Sequence, residues 1–193
     1  MDTYLVTGAN RGIGLEYCRQ LKEKGSKVIA VCRSAADELP NLGVSVKTDV
    51  DITSDESVTE LVKSLDGQLI DVLINNACIL DPVILDWLNL NSIRRQFEVN
   101  ALAPLRLTQA LLPNLKKGSK IALMTSRMGS IEDNTSGGSY GYRMSKVALS
   151  MAGKSLSQDL KAKGIAVAIL HPGLVKTRMT GFTDSGITPE QSV

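Results

Sequence analysis

Short apolar segments of strand length alternate with longer amphipathic segments along this sequence of 193 residues. The short segments are nearly continuous in Val, Ile, Leu and Ala, which is typical of strands covered on both faces of a parallel sheet. They are Tyr4–Val6, Val28–Cys32, Val44–Val46, Val72–Ile74, Ile121–Met124 and Ile165–Leu170. This alternation predicts β-α-β units with right-handed crossovers, and therefore a Rossmann-type, doubly wound parallel α/β sheet flanked by helices.

The longer segments have apolar residues three and four positions apart, the spacing of a helix that buries one face. They are Gly12–Lys24, Ser54–Leu65, Ser92–Leu112 and Tyr140–Lys163. Pro104 lies inside the third segment, where it removes a backbone donor and crowds the preceding turn, so we expect a kink near Asn100. The polar segment Gly129–Ser139 is expected to be a loop.

Charge and composition restrict the partners. The 22 basic and 20 acidic residues leave a net charge of +2, and no run of like charge suggests a nucleic-acid surface. No apolar stretch approaches the roughly 20 residues of a membrane span, and the first residues are not basic as in a signal peptide. We therefore expect a single cytoplasmic domain over residues 1–193 that binds a small molecule, and neither a nucleic acid nor a membrane.

Cysteine and histidine do not form a metal or redox motif. The three cysteines, Cys18, Cys32 and Cys78, lie far apart and are expected to be reduced, mostly buried thiols. His171 is the one histidine, so a histidine-based catalytic triad or metal centre is not expected. We interpret His171 as structural.

A glycine-rich turn follows the first predicted strand and opens the first predicted helix. It reads Thr7-Gly8-Ala9-Asn10-Arg11-Gly12-Ile13-Gly14. Glycines there let the backbone approach a pyrophosphate, and the helix N-terminus offers unpaired amides and a favourable dipole. The alternative is a tight structural turn, but the position between a strand and a helix favours a nucleotide site.

The second predicted strand ends at Cys32-Arg33. An NAD-selective fold is expected to place an Asp or Glu there for the adenosine ribose. Arg33 and Arg11 instead have the chemistry to flank a 2′-phosphate, so NADP(H) is preferred over NAD(H). The alternative is a pair of solvated arginines.

Tyr142 and Lys146 are four residues apart on one predicted helix. They lie on the same face and can act on one ligand. A nearby positive charge stabilises phenolate, so we expect a lowered Tyr142 pKa suited to a general acid or base. The alternative is an exposed pair of residues four positions apart, which is common on any helix.

The ordered set of motifs resembles the short-chain dehydrogenase/reductase family from end to end. The resemblance rests on the glycine turn, Asn75-Asn76-Ala77 after the fourth strand, Asn100 in the kinked helix, Ser126 after the fifth strand, Tyr142-x-x-x-Lys146, and Pro172-Gly173 with Thr177 after the sixth strand. Asn10-Arg11-Gly12 and Ser126-Arg127-Met128-Gly129-Ser130 are similar to the carbonyl-reductase-like and C-factor-like members.

The resemblance implies a hydride transfer between NADP(H) and a small carbonyl or alcohol compound. Tyr142 would be the acid/base, and Lys146 would hold the nicotinamide ribose and lower the Tyr142 pKa. Ser126 would bind the substrate oxygen. Asn100 would hold a water that links Lys146 to solvent.

The resemblance also implies the cofactor contacts. Thr177 would bond the carboxamide, and Asp51 with Ile52 would hold the adenine, with Asp49-Val50 as an alternative register. The full implied set is Gly8, Asn10, Arg11, Gly12, Ile13, Gly14, Arg33, Asp51, Ile52, Asn76, Ala77, Tyr142, Lys146, Pro172, Gly173, Val175 and Thr177.

The sequence departs from the family pattern in two places. Cys78 stands where the family usually has glycine after Asn-Asn-Ala, and we interpret it as a buried apolar filler. The final residues, Thr188–Val193, read as an unfinished segment, so the sheet is expected to lack the family's usual last strand and helix.

The sequence leaves the function and the oligomeric state open. A dinucleotide-binding signalling or sensor protein without turnover is the alternative function, suggested by the C-factor likeness. Family likeness also suggests a homodimer through the helices predicted over Ser92–Leu112 and Tyr140–Lys163.

Overall fold

The apolar segments form the strands of one parallel sheet. The computed structural model describes residues 1–34 and 38–193, and within those residues the sheet has six strands in the order β3-β2-β1-β4-β5-β6. The strands are β1 (Thr3–Thr7), β2 (Lys27–Val31), β3 (Ser45–Lys47), β4 (Ile70–Asn75), β5 (Leu115–Met124) and β6 (Ala166–Leu170). The predicted α/β sheet is confirmed.

The amphipathic segments form the crossover helices. They are α1 (Gly12–Glu23), α2 (Glu38–Asn41), α3 (Asp55–Ser64), α4 (Leu90–Phe97), α5 (Ala103–Ala110), α6 (Tyr140–Asp159) and α7 (Pro189–Ser192). The segment predicted over Ser92–Leu112 divides into α4 and α5, with a π-helical turn at Glu98–Leu102 between them. The segment predicted over Tyr140–Lys163 leaves α-helical geometry after Asp159 and continues as a 3₁₀ turn at Lys161–Lys163.

Burial on both faces of the sheet explains the continuous apolar strands. On one face, Leu5, Leu73 and Ile121 pack with side chains from α3, α5 and α6. On the other face, Val6, Ala30 and Ile74 pack with Leu15 and Cys18 of α1. Neighbouring residues of one strand point to opposite faces, so Leu5 and Val6 both enter a core.

The strand order fixes where a ligand can bind. The chain proceeds outward from β1 to β3 on one side and then from β4 to β6 on the other. The carboxyl ends of β1 and β4 lie side by side at this reversal, the position where α/β sheets open a crevice. The glycine-rich turn follows β1, and Asn76 follows β4.

Within the residues that the structure describes, no helix is long and apolar enough to cross a membrane.

Candidate active site

The glycine-rich turn depends on residues without a Cβ atom. Gly8 and Gly12 have φ angles of +64° and +53°, in the left-handed region that glycine tolerates best. A Cβ added to Gly14 would lie 2.1 Å from the Gly8 carbonyl oxygen. Arg11 begins α1 without a side-chain capping bond. The first helical turn therefore offers the amides and dipole that suit a pyrophosphate.

Polar contacts between β1 and β4 brace this turn. The Thr7 hydroxyl accepts hydrogen bonds from the amides of Asn76 and Ala77, at 3.0 and 3.1 Å. The Asn76 side-chain amide donates to the Thr7 carbonyl at 3.0 Å. A Cβ on Gly8 would be 2.9 Å from the Ala77 Cα. Asn76 and Ala77 thus lie against the glycine turn, and the Asn76 amide is engaged in holding it.

The side of the cleft beyond β2 and β3 carries exposed charges. Arg11 and Arg33 are both exposed, and the Asn10 side chain donates to the Ser34 carbonyl at 2.9 Å. Asp51 follows β3, and Ile52 beside it is buried. Asn10 therefore joins the glycine turn to the end of β2, next to Arg33.

The Asp51 carboxylate is held in its ionised form. Its Oδ1 accepts from the amide and the hydroxyl of Thr53, at 2.9 and 2.7 Å. These bonds lower the pKa of Asp51, with smaller contributions from the positive charges of Arg33 and Arg106. Asp51 and Arg33 thus lie within electrostatic range of each other, on one side of the cleft.

Tyr142, Lys146 and Ser126 meet at the end of β5. Both α6 side chains are almost fully buried, Tyr142 with 7% and Lys146 with 1% exposed. The Lys146 ammonium donates to the Met124 carbonyl at 2.7 Å and lies 5.5 Å from the centre of the Tyr142 ring. Ser126 lies close enough to the Tyr142 side chain to influence its pKa. Because Tyr142 and Lys146 are both buried, they are not the exposed pair that was the alternative interpretation of the sequence.

A close approach of backbones brings Ser126 to α6. Ser126 is followed by a 3₁₀ turn at Arg127–Gly129. A Cβ on Gly129 would lie 2.9 Å from both the Lys146 carbonyl carbon and the Val147 nitrogen. Only glycine lets this turn rest on the helix, and the contact keeps Ser126 beside Tyr142.

The direction of the Tyr142 pKa differs from the sequence expectation. Burial raises the pKa of Tyr142 above its usual value, electrostatic repulsion from Cys78 raises it further, and hydrogen bonding by Ser126 lowers it. Burial outweighs the hydrogen bond because the phenolate loses most of its hydration. In this structure the neutral phenol is the favoured form, so the expected lowering is wrong here.

Asn100 lies in the π turn between α4 and α5, where the kink was predicted. Its side chain accepts from the Ile79 amide and donates to the Ile79 carbonyl, both at 2.8 Å. It also donates to the Ser145 hydroxyl at 3.0 Å, and that hydroxyl donates to the Tyr142 carbonyl at 2.8 Å. Pro104 has no N–H to offer the Asn100 carbonyl four residues earlier. Asn100 therefore connects the loop after β4 with the helix that carries Tyr142.

The segment after β6 returns to the glycine turn. A Cβ on Gly12 would be 3.2 Å from the Thr177 methyl carbon, so Thr177 lies beside the phosphate-binding turn. Val175 is buried and pairs with Ile187. Gly173 has a φ angle of +88°, and the Pro172 carbonyl accepts from Ser192 at 2.7 Å.

The final residues are folded in the structure. Thr188 caps α7 with a capping box that includes Gln191. The Gln20 side chain of α1 donates to the Glu190 carbonyl at 3.1 Å. The segment interpreted as unfinished thus forms a helical turn that packs on α1.

The comparison with protein families agrees with this geometry. The short chain dehydrogenase model matches residues 2–187. The chain belongs to the short-chain dehydrogenase family. It is therefore an oxidoreductase of the short-chain type, as the sequence resemblance predicted.

Relatives and solved structures support the family over the full chain. The chain is 42% identical, over 100% of its length and 87% of the relative, to 1-hydroxy-2-glutathionyl-2-methyl-3-butene dehydrogenase of Rhodococcus sp. (strain AD45). It is 49% identical to C-signal of Myxococcus xanthus, over 58% of this chain and 69% of that protein. The NADPH-bound carbonyl reductase from chicken fatty liver superposes with a TM-score of 0.90 at 31% identity, covering 100% of this chain and 88% of the other.

Several residues of this short-chain dehydrogenase escaped the sequence reasoning because their partners are distant in sequence. Thr7 braces β1 against β4, and Ser145 links Asn100 to Tyr142. Arg143 binds the carbonyls of Met128 and Gly137, each at 3.3 Å. Thr7 was recognised as the first residue of the glycine-rich turn, but its bracing role towards β4 was not predicted.

Two residues interpreted as structural have different outcomes. The His171 Nδ1 accepts from the Arg127 amide at 3.3 Å, which joins the ends of β5 and β6 as a structural residue does. Cys78 is partly exposed, so the interpretation as a buried filler is wrong. Its Sγ lies 4.0 Å from the Sδ of Met179, which belongs to the segment after β6.

Proposed function

We propose that the chain is an NADP(H)-dependent reductase of small carbonyl compounds, or the corresponding alcohol dehydrogenase. The observation that supports this most strongly is the meeting of Tyr142, Lys146 and Ser126 at the end of β5. Ser126 lowers the pKa of the buried Tyr142 phenol, and the buried Lys146 ammonium lies 5.5 Å from the centre of its ring. In a short-chain dehydrogenase such a group has one natural use, the transfer of a proton to or from a substrate oxygen.

The glycine turn and its neighbours fit a dinucleotide. The first amides of α1, around Gly12, Ile13 and Gly14, would hold the pyrophosphate, and the absence of a side chain at Gly14 lets the start of this helix pack against the Gly8 carbonyl. Asp51 and Ile52 would bind the adenine, with the ionised Asp51 accepting from its amino group. Arg11 and Arg33 would bind a 2′-phosphate through their guanidinium groups, which is the reason for proposing NADP(H) over NAD(H).

The remaining proposed contacts lie around the other half of the dinucleotide. Asn76, Ala77 and the segment 172–177 would line its pocket, with Pro172, Gly173 and Val175 shaping the wall and Thr177 bonding the carboxamide. Lys146 would hold the ribose hydroxyls. When bound, the nicotinamide supplies or accepts the hydride.

Tyr142 would donate the proton to the substrate oxygen, or accept it in the reverse direction. For reduction, the neutral phenol donates its proton to the substrate oxygen, and burial favours this neutral form. Ser126 would hold the same oxygen near the phenol and stabilise the phenolate that remains. Asn100 would bind a water at its carbonyl, through which a proton returns towards Lys146 and Tyr142.

The substrate class rests on the relatives. A carbonyl reductase and a dehydrogenase of a glutathionyl-substituted alcohol are both similar to this chain. We therefore propose small carbonyl compounds and alcohols, including thioether-substituted alcohols, as the first compounds to screen.

One experiment separates the proposed activity from its alternative. The dissociation constants of NADPH and NADH are compared, and the better cofactor is then tested with a panel of aldehydes, ketones and alcohols. We expect tighter NADPH binding and NADPH-dependent reduction of at least one carbonyl class. If NADPH binds tightly but no compound of the panel causes its consumption, the result would instead favour a non-catalytic sensor. The similarity to C-signal is the reason for testing this alternative.

The assembly and location are proposals of the same kind. We propose one NAD(P)-binding Rossmann domain over residues 1–193, located in the cytoplasm. A homodimer would pair the helices α4, α5 and α6. Leu105 and Met151 are exposed on α5 and α6, and Leu102 is exposed in the turn between α4 and α5. Sedimentation at micromolar concentration tests this pairing, and a monomer throughout would contradict it.

A further inference from the structure

The residues before and after Cys78 in the chain are both held by hydrogen bonds, so the position of Cys78 in the cleft is fixed. The residue before it, Ala77, packs against Gly8 and donates to the Thr7 hydroxyl at 3.1 Å. The residue after it, Ile79, makes two hydrogen bonds of 2.8 Å with the Asn100 side chain. The backbone on both sides of the thiol is therefore held in place, and the hydrogen bonds from Asn100 through Ser145 to the Tyr142 carbonyl connect this loop to the helix that carries Tyr142.

Met179 approaches the same place from the opposite wall. It belongs to the 3₁₀ turn Arg178–Thr180 after β6. The Thr180 hydroxyl fixes this turn, since it donates to the Val175 carbonyl at 2.6 Å and accepts from the Thr177 amide at 3.1 Å. The 4.0 Å contact between the sulfur atoms of Cys78 and Met179 thus joins the loop after β4 to the segment after β6.

The two segments that meet at this contact also carry exposed apolar side chains. The segment of Met179 exposes Leu174 and Phe182, and the loop that continues from Cys78 exposes Ile84 and Leu85. Thiol and thioether groups are themselves soft, weakly polar surfaces. The two sulfur atoms therefore offer a substrate a weakly polar surface.

We propose that Cys78 and Met179 together determine which carbonyl compounds reach Tyr142. Their contact closes the space on one side of the phenol, so the site takes aldehydes and methyl ketones that carry one large apolar group. Ketones with two large substituents are disfavoured because the second substituent would have to separate the two sulfur atoms. This inference rests on the proposed function and adds a substrate class to it.

The test measures a ratio, so that general losses of activity cancel. Values of kcat/KM with NADPH are determined for acetophenone and for isobutyrophenone, which differ in the size of one substituent. The wild type is expected to prefer acetophenone. Cys78→Gly and Met179→Ala are each expected to raise the relative kcat/KM of isobutyrophenone by roughly 10-fold, the usual effect of one or two carbon atoms in an apolar pocket.

Control variants exclude trivial explanations. Cys78→Ser keeps the side-chain size and should keep the wild-type ratio. Met151→Ala removes a methionine that is exposed on α6 and should also leave the ratio unchanged. The double variant Cys78→Gly with Met179→Ala should gain less than the product of the two single effects, because either change opens the same space.

The outcomes distinguish this inference from the proposed function. An unchanged ratio in Cys78→Gly and Met179→Ala, or independent effects that multiply in the double variant, would overturn the inference. So would a wild type that reduces neither ketone while it consumes NADPH with other carbonyl compounds. Met179 is 39% exposed, so its variant should fold even where a Cys78 variant does not. A wild type that consumes no NADPH with any carbonyl compound would remove the proposed function itself.

Discussion

The two sides of the cleft are built from different material. On the side of the glycine turn, the surface consists of backbone groups, and it forms because Gly8, Gly12 and Gly14 have no side chain that would keep neighbouring atoms apart. On the side of Tyr142, it depends on buried polar side chains, and Asn100, Ser145 and Lys146 are each almost fully enclosed. The same sheet supports both, since β1, β4 and β5 are adjacent strands in it.

This difference predicts two kinds of sensitivity. A surface made by close backbone approach fails when an atom is added, because no neighbour can move aside. A network of buried hydrogen bonds fails when an atom is removed, because a partner is left unsatisfied. Additions near Gly14 should therefore damage cofactor binding, and deletions near Asn100 should damage turnover.

Gly14→Ala is expected to have the largest effect. Its new Cβ would lie 2.1 Å from the Gly8 oxygen and 2.6 Å from the Asn76 side-chain nitrogen. The turn must move as a whole, so NADPH affinity should fall by roughly 100-fold or more, a loss of about 3 kcal/mol. Fluorescence titration with NADPH measures this.

Gly25→Ala is the matched control for that change. Gly25 also has a positive φ angle, +79°, but an added Cβ meets nothing within 4 Å. The control should lose about 1 kcal/mol of stability and keep its NADPH affinity. Equal losses of affinity in both variants would show that general strain, rather than the close approach at Gly14, is responsible.

Asn100→Ala is expected to have the second largest effect. It leaves the amide and carbonyl of Ile79 without their partner, which should lower the free energy of unfolding by roughly 2 to 4 kcal/mol. Turnover should fall more than NADPH affinity, because the lost bonds lead to Ser145 and Tyr142. Urea denaturation and steady-state kinetics measure the two effects. The control variant Asn91→Ala, at an exposed asparagine on α4, should change neither quantity. A loss confined to NADPH affinity in Asn100→Ala would contradict the proposed role of Asn100.

Arg33→Ala tests the charged edge of the glycine side. The guanidinium is exposed, and its proposed bond to the 2′-phosphate is absent from NADH. Affinity for NADPH should fall by roughly 10-fold, as for a lost charge-assisted hydrogen bond, while NADH affinity stays the same. Arg94→Ala, an exposed arginine on α4, is the control. A parallel loss for both cofactors would argue against a 2′-phosphate site at Arg33.

The smallest predicted effect is a pH dependence of stability. Burial raises the pKa of Tyr142 above its ordinary value of 10.0, which also describes the unfolded chain. The protonated phenol therefore stabilises the fold fully below about pH 10, and this contribution is lost as pH rises towards the raised pKa of the folded state. Chemical denaturation should show a steeper alkaline loss in the wild type than in Tyr142→Phe. A steeper loss in the variant would contradict the sign.

Patterns that act over a few residues made the fold and the main site residues predictable. Continuous apolar strands gave the sheet, and Pro104 gave the kink at Asn100. Ser54 was expected to start a helix and does cap α3 by accepting from the Ser57 amide. The glycine turn and the Tyr142 and Lys146 pair were recognisable because each occupies one turn of chain.

What the sequence did not predict depends on contacts between distant segments. The bond between Asn100 and Ile79 crosses 21 positions, and that between Thr7 and Ala77 crosses 70. The predicted direction of the Tyr142 pKa shift was also wrong, because the shift depends on burial by the completed fold and not on the neighbouring Lys146 alone. Cys78 was interpreted wrongly for the same reason, since its burial depends on the completed fold, and its contact with Met179 spans 101 positions.

The most direct test of the account compares two quantities in Tyr142→Phe. This variant keeps the ring but removes the phenol oxygen that the account assigns to proton transfer. We predict that the dissociation constant for NADPH stays close to that of the wild type, while turnover of carbonyl compounds falls by roughly a hundred to ten thousand fold. Retained turnover in a variant that binds NADPH normally would contradict the central claim.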